Sequence, residues 1–258
     1  LLLTTSVFAV TNMEAVDLLA SKLILEQGAD GCWAGETDWT GTLAAGMLKA
    51  AAATGEADYM ASATKATDCI LNAGCCDYFG DELYAMSMSD ETVDVVKAFF
   101  GMVKSFGTWN YIGFFGVPAS ANGGGMDRSA AIFYMSHITM AAYNVNAKDK
   151  KIFRTALTQM IGEATDKKAD FPVLALSAGV WALASTGPMD GSKITGTNLK
   201  LQNLPGMLLS HQVPAGQDGE GSFYWRIDHG KGKGDVKMGY TDEAVYGTLG
   251  LVAVYQNN

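Results

Sequence analysis

Proline is scarce, with 5 residues in 258 against 30 glycines. Proline ends helices, so its rarity leaves room for many of them, and the glycines supply the loops between. Cations are also few: 18 Lys and Arg face 27 Asp and Glu, a net charge of −9. That balance argues against binding a phosphate backbone, so no nucleic-acid partner is expected. Beyond the first residues no segment reaches membrane-span length without polar interruption, so no integral span is expected either. Strand alternation is missing over any comparable length. The four cysteines, Cys32, Cys69, Cys75 and Cys76, match no familiar zinc spacing. We therefore expect neither a metal nor another cofactor.

What is present is apolar and helical. Hydrophobic residues make up 48% of the chain, enough for a sizeable core. The opening "LLLTTSVFAV" (1–10) reads as the tail of a secretory signal peptide, with Val-Phe-Ala before a cut after Ala9; a buried first strand or helix turn is the alternative. Residues 11–258 then read as a single domain, secreted or extracytoplasmic. Export permits disulfides; Cys69 with Cys75 or Cys76 would close a small loop at a helix end, leaving Cys32 to pair with the remaining one or stay free, and the sequence leaves the pairing open.

Helical period marks about ten segments: 12–27, 38–55, 56–74, 81–88, 89–107, 126–145, 147–164, 170–187, 203–212 and 240–257. Aligned on their loops, three copies of one unit emerge. A helix runs into a Gly-x-aromatic turn, a polar glycine-rich excursion, an Asp and an Ala/Gly-rich helix, at "GADGCWAGETD" (28–38), "GTWNYIGFFGVPASANGGGMD" (107–127) and "GQDGEGSFYWRIDHGKGKGDVKMGYTD" (216–242). Recurrence of a unit with insertions on one side is the mark of a repeat architecture. The helices also differ in kind. "TLAAGML", "AAIFYMSHITMAA", "LALSAGVWALA" and "YGTLGLVAVY" are apolar nearly all round, as expected of helices wrapped by others, while "AKDKKIFRTALTQMIGEA" is amphipathic. An all-α α/α toroid of about ten helices, with an inner and an outer ring, is the expected fold. The inner helices beginning near Trp39, Asp127, Asp170 and Tyr240 should open on one face.

"EQGADGCW" (26–33) carries Gln27, Gly31 and Trp33, and "GQDGEGSF" (216–223) carries Gln217, Gly221 and Phe223 in the same places; "GTW" (107–109) keeps the Gly and Trp without the Gln. This resembles the Gln-to-Gly-x-Trp end of the repeat in the squalene cyclase and prenyltransferase superfamily, in a secreted bacterial form. The resemblance implies an α/α toroid in which the Gln caps a helix end and the aromatic stacks near it. The family's acid motif for protonating polyenes, its Gly-Cys-Gly-Glu-Gln thioester and its zinc set are not found here, so those activities do not carry over, and a terpenoid cyclase ranks third among the readings.

On a toroid the loops entering the inner helices gather at one mouth. That would bring Glu36, Asp38, Trp39, Trp109, Tyr111, Asp127, Arg128, Tyr224 and Trp225 together as substrate-binding residues, with Arg226, Asp228, His229 and Tyr240 as the chemical centre. Flat rings stack on sugar faces, and carboxylates bind hydroxyls or act as acid and base. The expected activity is that of a polysaccharide lyase or hydrolase. In a lyase Arg226 or a nearby Lys would neutralise a uronate, with His229 or Tyr240 as base or acid. The other leading reading is a non-catalytic binding or surface-assembly module that associates with itself. Plainer roles exist for many of these residues: N-caps for Asp38, Asp127 and Asp242, loop anchors for Trp33 and Trp109, a satisfied core histidine for His137, and carbonyl contacts for His211. "FYWRIDH" (223–229) has its own, a hairpin packed on one face.

Overall fold

The computed structural model describes residues 12–33, 40–72, 80–115, 128–164, 172–194, 197–216, 222–224 and 241–257. Among them the chain is helical, with no β-ladder and only three isolated bridges. The helices are α1 (Asn12–Glu26), α2 (Thr40–Thr54), α3 (Ala57–Asn72), α4 (Asp81–Met86), α5 (Val93–Phe106), α6 (Thr108–Gly113), α7 (Arg128–Asn144), α8 (Lys150–Ala164), α9 (Pro172–Thr186), α10 (Leu204–Leu209) and α11 (Thr241–Gln256). They match the expected segments closely, with one addition. The loop expected after residue 107 begins with α6. Gly107, at φ 102°, breaks the chain out of α5 and a new helical turn starts at once. Asp242 is the second residue of α11 and not the residue before it.

Two compact units divide the chain, Leu1–Thr92 and Val93–Asn258. In the first, α2 packs against α3 and α4. Its closest approach is at Gly41, where a Cβ would lie 2.3 Å from the backbone nitrogen of Glu82. In the second, α9 is surrounded by α7, α8, α10 and α11. The all-round apolar sequence of α9 explains this: nearly every residue from Val173 to Ala184 is buried. α7 is likewise enclosed. Its buried hydroxyls turn back on the helix, Ser136 Oγ donating to the Ile132 carbonyl and Thr139 Oγ1 to that of Met135, both at 2.7 Å. α11 departs from expectation. Tyr246, Gly247, Gly250 and Ala253 face inward, but Val245, Val252 and Tyr255 face solvent. An apolar sequence is not sufficient for burial, which also needs a neighbour on each side.

α7 ends in a Schellman motif. The Ala147 amide donates to the Ala142 carbonyl (2.8 Å) and that of Asn146 to Tyr143 (3.1 Å), with Asn146 at φ 53°. The turn is tight, and α8 starts four residues later. At the far end of α9, the half-buried Arg154 of α8 donates to the carbonyls of Leu183 (3.2 Å) and Pro188 (3.0 Å), satisfying acceptors the helix leaves open. Desolvation lowers the Arg154 pKa from its ordinary value.

Candidate functional site

The first aromatic turn is a clamp built from the residues that carry the repeat motif. Gln27 Nε2 donates to the carbonyls of Gly31 (2.8 Å) and Ser62 (2.9 Å), and Ser62 Oγ donates back to Gln27 Oε1 (2.8 Å). Trp33 is buried and its Nε1 donates to the Leu23 carbonyl at 2.8 Å, in the last turn of α1. Gly31, at φ 88°, lets the turn lie flat on α3: a Cβ there would sit 2.1 Å from the Lys65 carbonyl. Cys32 is bonded to Cys69, with Cα atoms 5.6 Å apart. This excludes the pairing of Cys69 with Cys75 or Cys76. Ser62, Lys65 and Cys69 stand at i, i+3 and i+7, so one face of α3 receives the whole turn. That face, which sequence distance ignores, decides the partner.

A second turn repeats the hydrogen bonding. Gln27 pairs in an antiparallel bridge with Trp33, and Gln212 with Phe223. In the first the Gly28 amide donates to the Cys32 carbonyl (2.7 Å); in the second Val213 donates to Ser222 (2.8 Å). The bridge of the second turn is made by Gln212; Gln217, the glutamine that the repeat motif places there, lies outside the described residues. Phe223 is buried against α11, where a Cβ on Gly247 would come within 2.4 Å of its ring.

The site expected at the loop mouth falls largely on residues outside the described set: Glu36, Asp38, Trp39, Asp127, Trp225, Arg226, Asp228, His229 and Tyr240. Four members are described. Trp109 and Tyr111 share α6 and turn apart. Tyr111 is buried, edge-on to Phe99 (5.7 Å), Phe115 (5.5 Å) and Phe153 (6.3 Å), and burial pushes its pKa well above the ordinary value. Its ring serves packing. Trp109 is 44% exposed. Arg128 is the first residue of α7 and half-buried. Tyr224 is half-buried beside the buried Phe223, so the first two residues of "FYWRIDH" alternate as their extended pattern predicts, and the Tyr224 amide donates to the His211 carbonyl at 2.9 Å.

Other expectations are met by direct contacts. His137 Nδ1 lies 2.9 Å from the Phe133 carbonyl and its Nε2 3.1 Å from the Tyr246 hydroxyl. His211 Nδ1 lies 2.7 Å from the Met207 carbonyl. Among the described residues no group of three His, Cys, Asp or Glu is placed to hold a metal ion.

Three features escaped the sequence reading. Phe106 and Phe114 stack with centroids 6.0 Å apart and planes 11° apart, and both are exposed, as Trp109 between them is. The signal was there as aromatics on both sides of a glycine break, but the missing α6 hid their convergence. Asp81 opens α4 and is only 1% exposed, a buried carboxylate where α2 passes closest. Finally, a cleft between α5 and the α7–α8 turn is ringed by lysines that stand far apart in sequence. The chain matches no known family profile, no curated protein and no solved structure.

Proposed function

We propose that this chain is an exported α/α-toroid protein that binds and cleaves polysaccharide, as a lyase or hydrolase. The observation that carries the reading is the exposed aromatic group at the end of α5, on α6 and just after it: Phe106, Trp109 and Phe114 offer flat apolar faces to solvent. Sugar rings stack on such faces through their C–H surfaces, as they do in carbohydrate clefts generally. The Cys32–Cys69 bond supports an oxidising compartment. The two matching glutamine turns support the repeat and, with the enclosed α7 and α9, the toroid of the squalene cyclase and prenyltransferase type.

Within this reading Arg226, Asp228, His229 and Tyr240 form the chemical centre. For a lyase, Arg226 neutralises a uronate carboxylate. His229 or Tyr240 removes the C5 proton, the electron pair becomes a C4–C5 double bond, and the expelled glycosidic oxygen takes a proton from the other. For a hydrolase, Asp228 is the carboxylic member of an acid–base pair. The test is a panel of acidic and neutral polysaccharides, read by binding and by the ultraviolet absorbance of unsaturated ends. Trp109→Ala should weaken polymer binding, and Arg226→Ala and His229→Ala should abolish cleavage at an unchanged melting temperature. A wild-type chain that neither binds nor cleaves any polymer sinks the reading.

The alternative, a self-associating assembly module, is favoured by a different observation. α1 exposes Leu18 and Leu25 seven residues apart, and α11 exposes Val245 and Val252 at the same spacing with Tyr255 beside them. Apolar stripes of this kind are what helix-to-helix association uses. Sedimentation over a range of concentrations separates the two readings.

A further inference from the structure

The cleft between α5 and the α7–α8 turn has a volume of about 280 Å³. Phe100 and Phe153 close its floor, edge to face at 5.4 Å. Its lining carries Lys97 and Lys104 from α5 and Lys148 from the turn, against one carboxylate, Asp149. Three cations around one cleft stand out in a chain of net charge −9. Nor are they all neutralised. Lys97 Nζ meets Asp94 Oδ1 at 2.8 Å, but Lys104 and Lys148 have no ion pair among the described residues. Asp149 is engaged by Thr108, whose Oγ1 donates to Asp149 Oδ2 at 2.7 Å, and it makes no ion pair with Lys104 or Lys148. The lining also contains the N-terminal approach to the fifteen-residue α8, whose dipole places partial positive charge there.

We infer that this cleft binds a small organic anion, a carboxylated sugar residue, with Lys104 and Lys148 at the carboxylate and the ring over the apolar floor. Cavity, uncompensated lysines and helix terminus converge on negative charge, and the volume suits one sugar ring. The preference for an anion rests on the cleft alone. The choice of a uronate among carboxylates rests on the polysaccharide reading, and it makes that substrate an acidic polymer. Phosphate shares the recognition chemistry and is the competing source.

The experiment is calorimetric titration of the full chain with glucuronate, glucose and inorganic phosphate. Glucuronate should bind at least tenfold more tightly than glucose and lose affinity as salt rises. Lys104→Ala and Lys148→Ala should each weaken it by about tenfold, the usual scale for one charge-assisted contact. Both side chains are exposed, so the fold should survive, and the far-ultraviolet spectrum checks this. Glucuronate binding indifferent to both lysines, or binding of neither anion, overturns the site. Phosphate binding tighter than glucuronate overturns the sugar assignment. Polymer binding is read separately with Trp109→Ala. An intact aromatic contribution with a silent cleft defeats this inference alone, whereas a wild-type chain that binds no polymer defeats the function reading.

Discussion

The Tyr246 hydroxyl donates to Nε2 of His137 across 3.1 Å, joining α11 to α7 through residues 109 positions apart. The direction follows from the other ring nitrogen. A carbonyl only accepts, so Nδ1–H donates to that of Phe133 at 2.9 Å, and in the neutral ring Nε2 is then the acceptor. Phe133 (4.5 Å) and Trp181 (5.7 Å) close around the His137 ring.

Tyr246→Phe keeps the packing and strands Nε2 in a buried site. It should cost about 1–3 kcal/mol in urea unfolding. Adding His137→Leu to that variant should cost less than the sum of the two single changes, because the orphaned acceptor is then gone. Strict additivity in that double-mutant cycle would mean that the hydrogen bond contributes nothing.

Reduction should destabilise the protein. The bond between Cys32 and Cys69 spans a sequence separation of 37, for which chain entropy gives about 4 kcal/mol at most. Dithiothreitol should lower the melting temperature, and Cys32→Ser/Cys69→Ser should remove that sensitivity. Peptide mapping without reduction should recover Cys32 linked to Cys69.

Alkaline pH should unfold the chain through its buried tyrosines. Burial raises the Tyr84 pKa from 10.0 to about 12, and pushes Tyr111 higher still. Both hold their protons more tightly when folded. The stability this represents is complete below pH 10 and lost as pH climbs through 12. Absorbance of tyrosinate should show these two groups ionising with global unfolding. Smooth titration of all ten tyrosines near pH 10 with the fold intact would contradict their burial.

Gly41→Ala and Gly247→Ala should differ in repairability. At Gly247 the obstacle is the Phe223 ring, a side chain that Phe223→Leu can shorten, so that second change should restore part of a loss of about 1–3 kcal/mol. At Gly41 the obstacle is the backbone of α4, and no side-chain change should restore it. Equal rescue at both would refute the packing described for α2 and α4.

Much of the secondary structure was legible in the sequence because it is written locally. Apolar period and terminal glycines placed ten of the helices to within a few residues, and only α6 was lost, where aromatics and glycines read as loop. The first glutamine turn was legible too, since Gln27, Gly31 and Trp33 act within one turn of chain. The bridge of Gln212 to Phe223 was not, because no local spacing links the two residues. Contacts across helices were beyond reach. That Cys32 meets Cys69 depends on which face of α3 receives the turn. That α11 shows Val252 and Tyr255 to solvent depends on which neighbours it has. Lys104 and Lys148 share a cleft because α5 lies against α8 through Phe100 and Phe153, beside the turn that carries Lys148. Sequence determines what each segment prefers to be; tertiary packing alone decides which distant side chains share a space, because helix faces and tight turns carry residues far apart in the chain to the same few ångströms.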